Sequence, residues 1–93
     1  MDTQINRNMA TKQDLSRLIK GKTVAGAKQL RKAVVSGIAQ EVFLACNADP
    51  AITEPIEALC QQHNVTYAWV RSMTDLGHAC GIDVGAAAAA AVK

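Results

Sequence analysis

Val42-Phe43-Leu44-Ala45-Cys46 is an unbroken apolar run of strand length. A strand with one solvated face alternates apolar and polar residues, whereas a strand apolar at every position must be covered on both faces. A chain of 93 residues is one domain, so its other segments have to supply the covering layers. Their patterns suit that task. Leu15, Leu18 and Ile19 recur at helical spacing, with Thr11 placed to cap and Gly21 to stop the helix. Thr23-Val24-Ala25 is a short strand candidate. Ala27, Leu30, Ala33 and Val34 return to helical spacing, and Gly37 ends that segment.

Beyond the apolar run, Asn47-Ala48-Asp49-Pro50 reads as a turn. Ile56, Leu59, Cys60 and His63 form one helical stripe, entered through Thr53 and Pro55 and closed by Asn64. Thr66–Val70 reads as a strand. Ser72-Met73-Thr74-Asp75 is a capping box, and Met73, Leu76, Gly77 and Cys80 make the inner stripe of a short helix that Gly81 stops. Helices and strands therefore alternate, the pattern of an α/β domain with helices on both faces of a small sheet. The segment Ala86–Val92 is ambiguous. Its six alanines favour a helix, although the Gly85 start and the length of the run also fit a strand buried on both faces. Residues 1–10 are polar and are expected to form a flexible tail ahead of a single domain at 11–93.

Several function classes are disfavoured. No apolar run approaches the roughly 18 residues of a membrane span, and Met1 to Gln13 has no stretch like that of a signal peptide. Cys46, Cys60 and Cys80 are odd in number and far apart, which reads as reduced, inert core thiols in a cytoplasmic protein. His63 and His78 have no third group spaced to orient them, so neither a catalytic dyad nor a metal site is indicated. No phosphate-binding loop or dinucleotide fingerprint is present. The expectation is a protein that is not an enzyme and carries no cofactor or metal.

Charge is more informative in its distribution than in its total of +2. Residues 1–32 hold eight of the ten basic side chains and a net +6, while residues 33–93 carry −4. Such asymmetry is the footprint of a phosphate partner, or of a merely solvated lysine-rich surface. On the helix after Gly26, the residues Lys28, Arg31 and Lys32 fall opposite the apolar stripe, with Gln29 at the edge. The first turn of such a helix has unpaired N–H groups and a dipole that favours an anion. Lysine can donate to guanine O6 and N7, and glutamine can pair with base edges in both directions. A second segment stands out: Ile82 and Val84 flank Asp83 in a loop bounded by Gly81 and Gly85.

Together, Gly26-Ala27-Lys28-Gln29-Leu30-Arg31-Lys32, Asn47-Ala48-Asp49-Pro50 and Leu76-Gly77-His78-Ala79-Cys80-Gly81-Ile82-Asp83-Val84-Gly85-Ala86 resemble the ribosomal protein L7Ae/L30e family, most of all its small bacterial members. The resemblance covers about residues 11–93 in order and spacing. It implies a three-layer α-β-α sandwich around a four-stranded mixed sheet, with Ala86–Val92 as a central strand. It implies binding to kink-turns, sharply bent RNA motifs built on tandem sheared G·A pairs. Carried over by position, Gly26, Lys28, Gln29 and Lys32 would face the G·A pairs in a widened major groove. Lys22 and Arg31 would contact phosphates, and Ile82, Asp83 and Val84 would cover flipped-out nucleotides. Many family members have Asn-Glu where this chain has Lys28-Gln29. Lysine cannot accept from guanine amino and imino groups as that acid would, which shifts the balance toward phosphate and shape. The expected partner is structured RNA, such as ribosomal RNA, bound by a monomer. The alternative is a protein-interaction module on the same fold.

Overall fold

The computed structural model describes residues 9–10 and 12–93. Its elements are α1 (Lys12–Lys20), β1 (Lys22–Ala25), α2 (Ala27–Ser36), β2 (Ala39–Ala45), α3 (Pro50–His63), β3 (Thr66–Val70), α4 (Met73–Cys80) and β4 (Ala88–Val92). The strands lie in the order β1-β4-β2-β3. β4 runs antiparallel to both β1 and β2, while β2 and β3 are parallel and joined through α3. The sheet is thus mixed.

All of the apolar run but Cys46 lies in β2, whose side chains alternate between two cores. Phe43 and Ala45 point to one side, where they join Leu18 of α1 and Leu76 and Ala79 of α4. Val42 and Leu44 point to the other, where they meet Leu30 and Val34 of α2 and Ile56 and Cys60 of α3. These four side chains are all buried. This is the expected α-β-α sandwich, and the two-sided cover is what an uninterrupted apolar strand requires.

The alanine segment is a strand, against its helical propensity. Val24 and Val42 both pair with Ala90, so β4 has a hydrogen-bonded neighbour on each side. That tertiary pairing outweighs a propensity preference of well under 1 kcal/mol per residue. Small side chains also let helices approach the centre of the sheet closely from both faces.

Two local expectations need correction. α3 begins at Pro50, not near Thr53. Asp49 is its N-cap and accepts from the Ala51 N–H at 3.0 Å, with Pro50 in the first helical position that tolerates proline. Thr53 is buried, and Pro55 lies inside the helix. The N–H missing at Pro55 would have bonded the carbonyl of Ala51, an exposed residue that water can serve. His63 is exposed rather than part of the inner stripe. The expected tail, residues 1–10, falls partly on residues 1–8, which lie outside the described residues. Met9 and Ala10 are held against the β3 edge, the Ala10 N–H donating to the Trp69 carbonyl at 2.8 Å. The proposed Thr11 cap also lies outside the described residues.

Candidate nucleic-acid interface

The ends of β1, β2 and β3 that lead into α2, α3 and α4 share one edge of the sheet with the start of β4. Two of the expected RNA-facing segments lead into that edge. The first is the start of α2. Ala25 pairs with Ala89, and the Gly26 N–H then reaches the Ala88 carbonyl at 3.4 Å. Gly26 turns the chain out of the sheet at φ 97°, a left-handed conformation open to glycine and strained for other residues. A Cβ there would meet nothing within 4 Å, so the space above the turn is free.

No side chain caps α2. Its first intrahelical donor is the Leu30 N–H, bonded to the Gly26 carbonyl at 3.0 Å. The N–H groups of Ala27, Lys28 and Gln29 belong to the first turn, which has no intrahelical acceptor for them. Leu30, Ala33 and Val34 are buried, while Lys28, Gln29, Arg31 and Lys32 are exposed. An anion at this end would meet N–H donors, the positive end of the helix dipole and lysine charge together.

The second segment is the loop between α4 and β4. The Ile82 N–H donates to the Gly77 carbonyl at 3.1 Å, and the Ala86 N–H donates to the Met73 carbonyl at 3.0 Å. Between these ties, Asp83 is exposed and Val84 keeps 70% of its surface open. Ile82 behaves differently, being half-buried and packed on the core formed by α1 and α4. The loop leads directly into Ala88, the acceptor for Gly26.

Lys22 is not brought to this place. It is exposed at the far end of β1, opposite Val92, roughly 10 Å along the strand from Ala25 at about 3.3 Å per residue. Arg31 and Lys32 continue down the exposed side of α2 from its open end.

Two supporting residues were not among the expected site residues. The Asn47 Oδ1 accepts from the Met73 N–H at 2.8 Å, joining the β2–α3 turn to the start of α4. Gly77 lies buried inside α4, directly beneath the Val84 backbone. An asparagine in a turn and an isolated glycine in a helical pattern are the available sequence signals, but neither names its long-range partner. Ser72 caps α4 as its motif implies, accepting from the Asp75 N–H at 3.1 Å.

The remaining reactive groups lie elsewhere. Cys60 is fully buried in the α2–α3 core, and burial, with the Glu57 carboxylate adding to it, pushes its thiol up to about 11. Burial also raises the Cys80 thiol, while Cys46 is half-buried after β2. A cleft of about 580 Å³ beside α1 and α4 is lined by residues including Met9, Leu15, Ile19, Arg71 and His78. Among the described residues, no three of His, Cys, Asp and Glu come together in a way that could hold a metal ion. No helix among them is long and apolar enough to cross a membrane.

The chain is 45% identical over 73 residues to an RNA-binding protein of Geobacillus sp. (strain WCH70), covering 78% of this chain and 89% of that one. It is 39% identical over 71 residues to an RNA-binding protein of Caldanaerobacter subterraneus subsp. tengcongensis, covering 76% and 87%. Among solved structures, the Giardia lamblia 15.5kD RNA binding protein superposes with a TM-score of 0.82 at 28% identity, over 91% of this chain and 78% of that one. Residues 9–93 match the family described as Ribosomal protein L7Ae/L30e/S12e/Gadd45, and the chain belongs to that family.

Proposed function

We propose that this protein is a non-catalytic RNA-binding protein that recognises and stabilises kink-turn RNA, in the ribosome or in another structured RNA of the cytoplasm. The observation that carries the reading is an uncapped, open helix start tied at Gly26 to Ala88, the first residue of β4, with the exposed Val84 in the loop that leads into that strand. An undistorted A-form major groove excludes side chains, whereas a bent RNA widens its groove and unstacks bases. The start of α2 fits a widened groove, with Lys28 and Gln29 toward base edges and Arg31 and Lys32 toward phosphates. Val84 offers an apolar lid to an extruded nucleotide, and Asp83 sits beside it. Ile82 acts from beneath as the loop's anchor. Lys22 serves only an RNA long enough to reach the far end of β1. The RNA-binding names of its relatives support the same partner class. The free protein is proposed to be a monomer.

A gel-shift tests this. A consensus kink-turn is compared with an equal-length duplex in which Watson–Crick pairs replace the G·A pairs. At least tenfold tighter binding to the kink-turn is expected, about 1.4 kcal/mol. Equal affinity for both would remove the kink-turn reading.

A second reading is a protein-docking role, which the cleft beside α1 favours. Ile19 keeps 67% and Met9 49% of their surfaces open there. That face does not include α2, so a protein partner on it and RNA at the sheet edge are compatible.

A further inference from the structure

Gly77 occupies the middle of α4, where glycine is a poorer helix former than alanine. Its φ is not in the left-handed region, so backbone conformation does not require a glycine there. Space does. A Cβ at Gly77 would run into the carbonyl oxygen of Val84 and lie 3.2 Å from the Gly85 Cα. The obstacle is backbone, which cannot rotate away as the end of a side chain could. The same contact is held from the loop side by the Ile82 N–H on the Gly77 carbonyl, 3.1 Å, and the Ala86 N–H on the Met73 carbonyl, 3.0 Å. Gly85 is tight as well, since a Cβ there would come within 3.0 Å of the Met73 Cβ. The loop therefore lies flat on the first two turns of α4, and α4 is itself tied to the β2–α3 turn through Asn47.

We infer that Gly77 is the positioning residue of the RNA-facing loop: by having no side chain it sets the height of Val84 relative to the open start of α2. This rests on the RNA-binding reading above. With the Val84 carbonyl seated on Gly77, the exposed Val84 side chain and the Gly26 turn are fixed to opposite ends of a short backbone path through Ala88. Raising the loop by the thickness of one methyl group breaks that spacing while leaving every basic residue of α2 in place. The consequence is specific. Recognition of the bent RNA is lost, and charge-driven binding to any duplex is retained.

The test is Gly77→Ala, read in two ways. Amide hydrogen exchange comes first and needs no RNA. The Ile82 amide, and to a lesser extent that of Ala86, should exchange at least tenfold faster than in the parent protein, while amides of β2 and β4 stay protected. RNA binding comes second. The preference for a kink-turn over its Watson–Crick control should fall about tenfold, with affinity for the control and its salt dependence unchanged. A folded Gly77→Ala protein with parental exchange at Ile82, or with parental kink-turn preference, would overturn the inference. If the variant does not fold, one glycine inserted between Val84 and Gly85 displaces the loop tip without touching α4. Loss of preference in that protein supports the inference, and retention overturns it. A parent protein with no kink-turn preference would sink the proposed function, whereas unchanged Ile82 exchange in folded Gly77→Ala would sink only the role of Gly77.

Discussion

The start of α2 and the loop at 81–87 lie at one edge of the sheet, yet they are built by opposite means. The α2 start is held lightly, by one 3.4 Å backbone bond from Gly26 and by its buried stripe of Leu30, Ala33 and Val34. What it offers is charge and unpaired N–H groups. The loop is held tightly, by backbone bonds to Gly77 and Met73 and by the packing of Ile82. What it offers is shape: one exposed valine on a fixed carbonyl track. Charge attracts any nucleic acid, while a rigid apolar tip rewards only an RNA that presents an unstacked base to it. On the RNA-binding reading proposed above, affinity comes chiefly from the helix and discrimination chiefly from the loop, with Gln29 spanning the two.

The largest effect should come from blocking the turn that joins the segments. Gly26→Val puts a branched side chain at φ 97°, costing roughly 1–3 kcal/mol of stability, and fills the open space over the helix start. Kink-turn affinity should drop roughly a hundredfold, the upper end of a specific base contact at about 1–3 kcal/mol. A thermal melt and a gel-shift on the same preparation separate the two losses. Parental affinity would mean that RNA does not approach this turn.

Val84→Ser probes the loop alone. Contact with one unstacked base is worth about 1–3 kcal/mol, so a loss of about tenfold is expected. The salt slope should stay the same because no phosphate contact is removed. Stability should change by no more than about 0.5 kcal/mol, since the side chain is largely exposed. A steeper or shallower slope would show that the loop acts through charge and would break the division drawn here.

Gln29→Ala should be milder, cutting the preference for the G·A-containing RNA over its paired control about fivefold, near 1 kcal/mol. Combined with Val84→Ser, the losses should not add, because both depend on one bent RNA geometry. Strict additivity in the double mutant would show that the segments read separate features. Smallest of all is Arg31→Ala, expected to make the log–log salt slope shallower by up to about 1 while leaving the kink-turn preference intact. An unchanged slope would remove Arg31 from the phosphate contacts.

The helix half of the candidate site was readable in the sequence because it depends on local rules. Apolar spacing orients α2, a glycine precedes it, and the basic residues fall opposite the buried stripe. The layered fold followed from the apolar run in β2 in the same way. The alanine strand was not readable from propensity, because what makes β4 a strand is its neighbours β1 and β2, distant in sequence; family resemblance supplied that assignment. The start of α3 was misplaced because Thr53 and Pro55 imitate an entry that Asp49 and Pro50 already provide. The loop was only half legible. Ile82 and Val84 look equivalent as β-branched residues around an acid, and only the fold separates the anchored one from the exposed one. Nothing local announces that Gly77 lies under Val84 or that Asn47 holds Met73. Lys22 shows the converse limit, being near Gly26 in sequence but at the other end of its strand.

The central claim is that the two segments form one interface, and titration of the isotopically labelled protein with a kink-turn RNA tests it most directly. Amide resonances of Gly26 to Gln29 and of Ile82 to Val84 should shift together, saturating at one equivalent of RNA with the same affinity. Those of the α1–α4 cleft, including Ile19 and His78, should stay in place. Shifts confined to the start of α2, or centred on the α1–α4 cleft, would contradict the account.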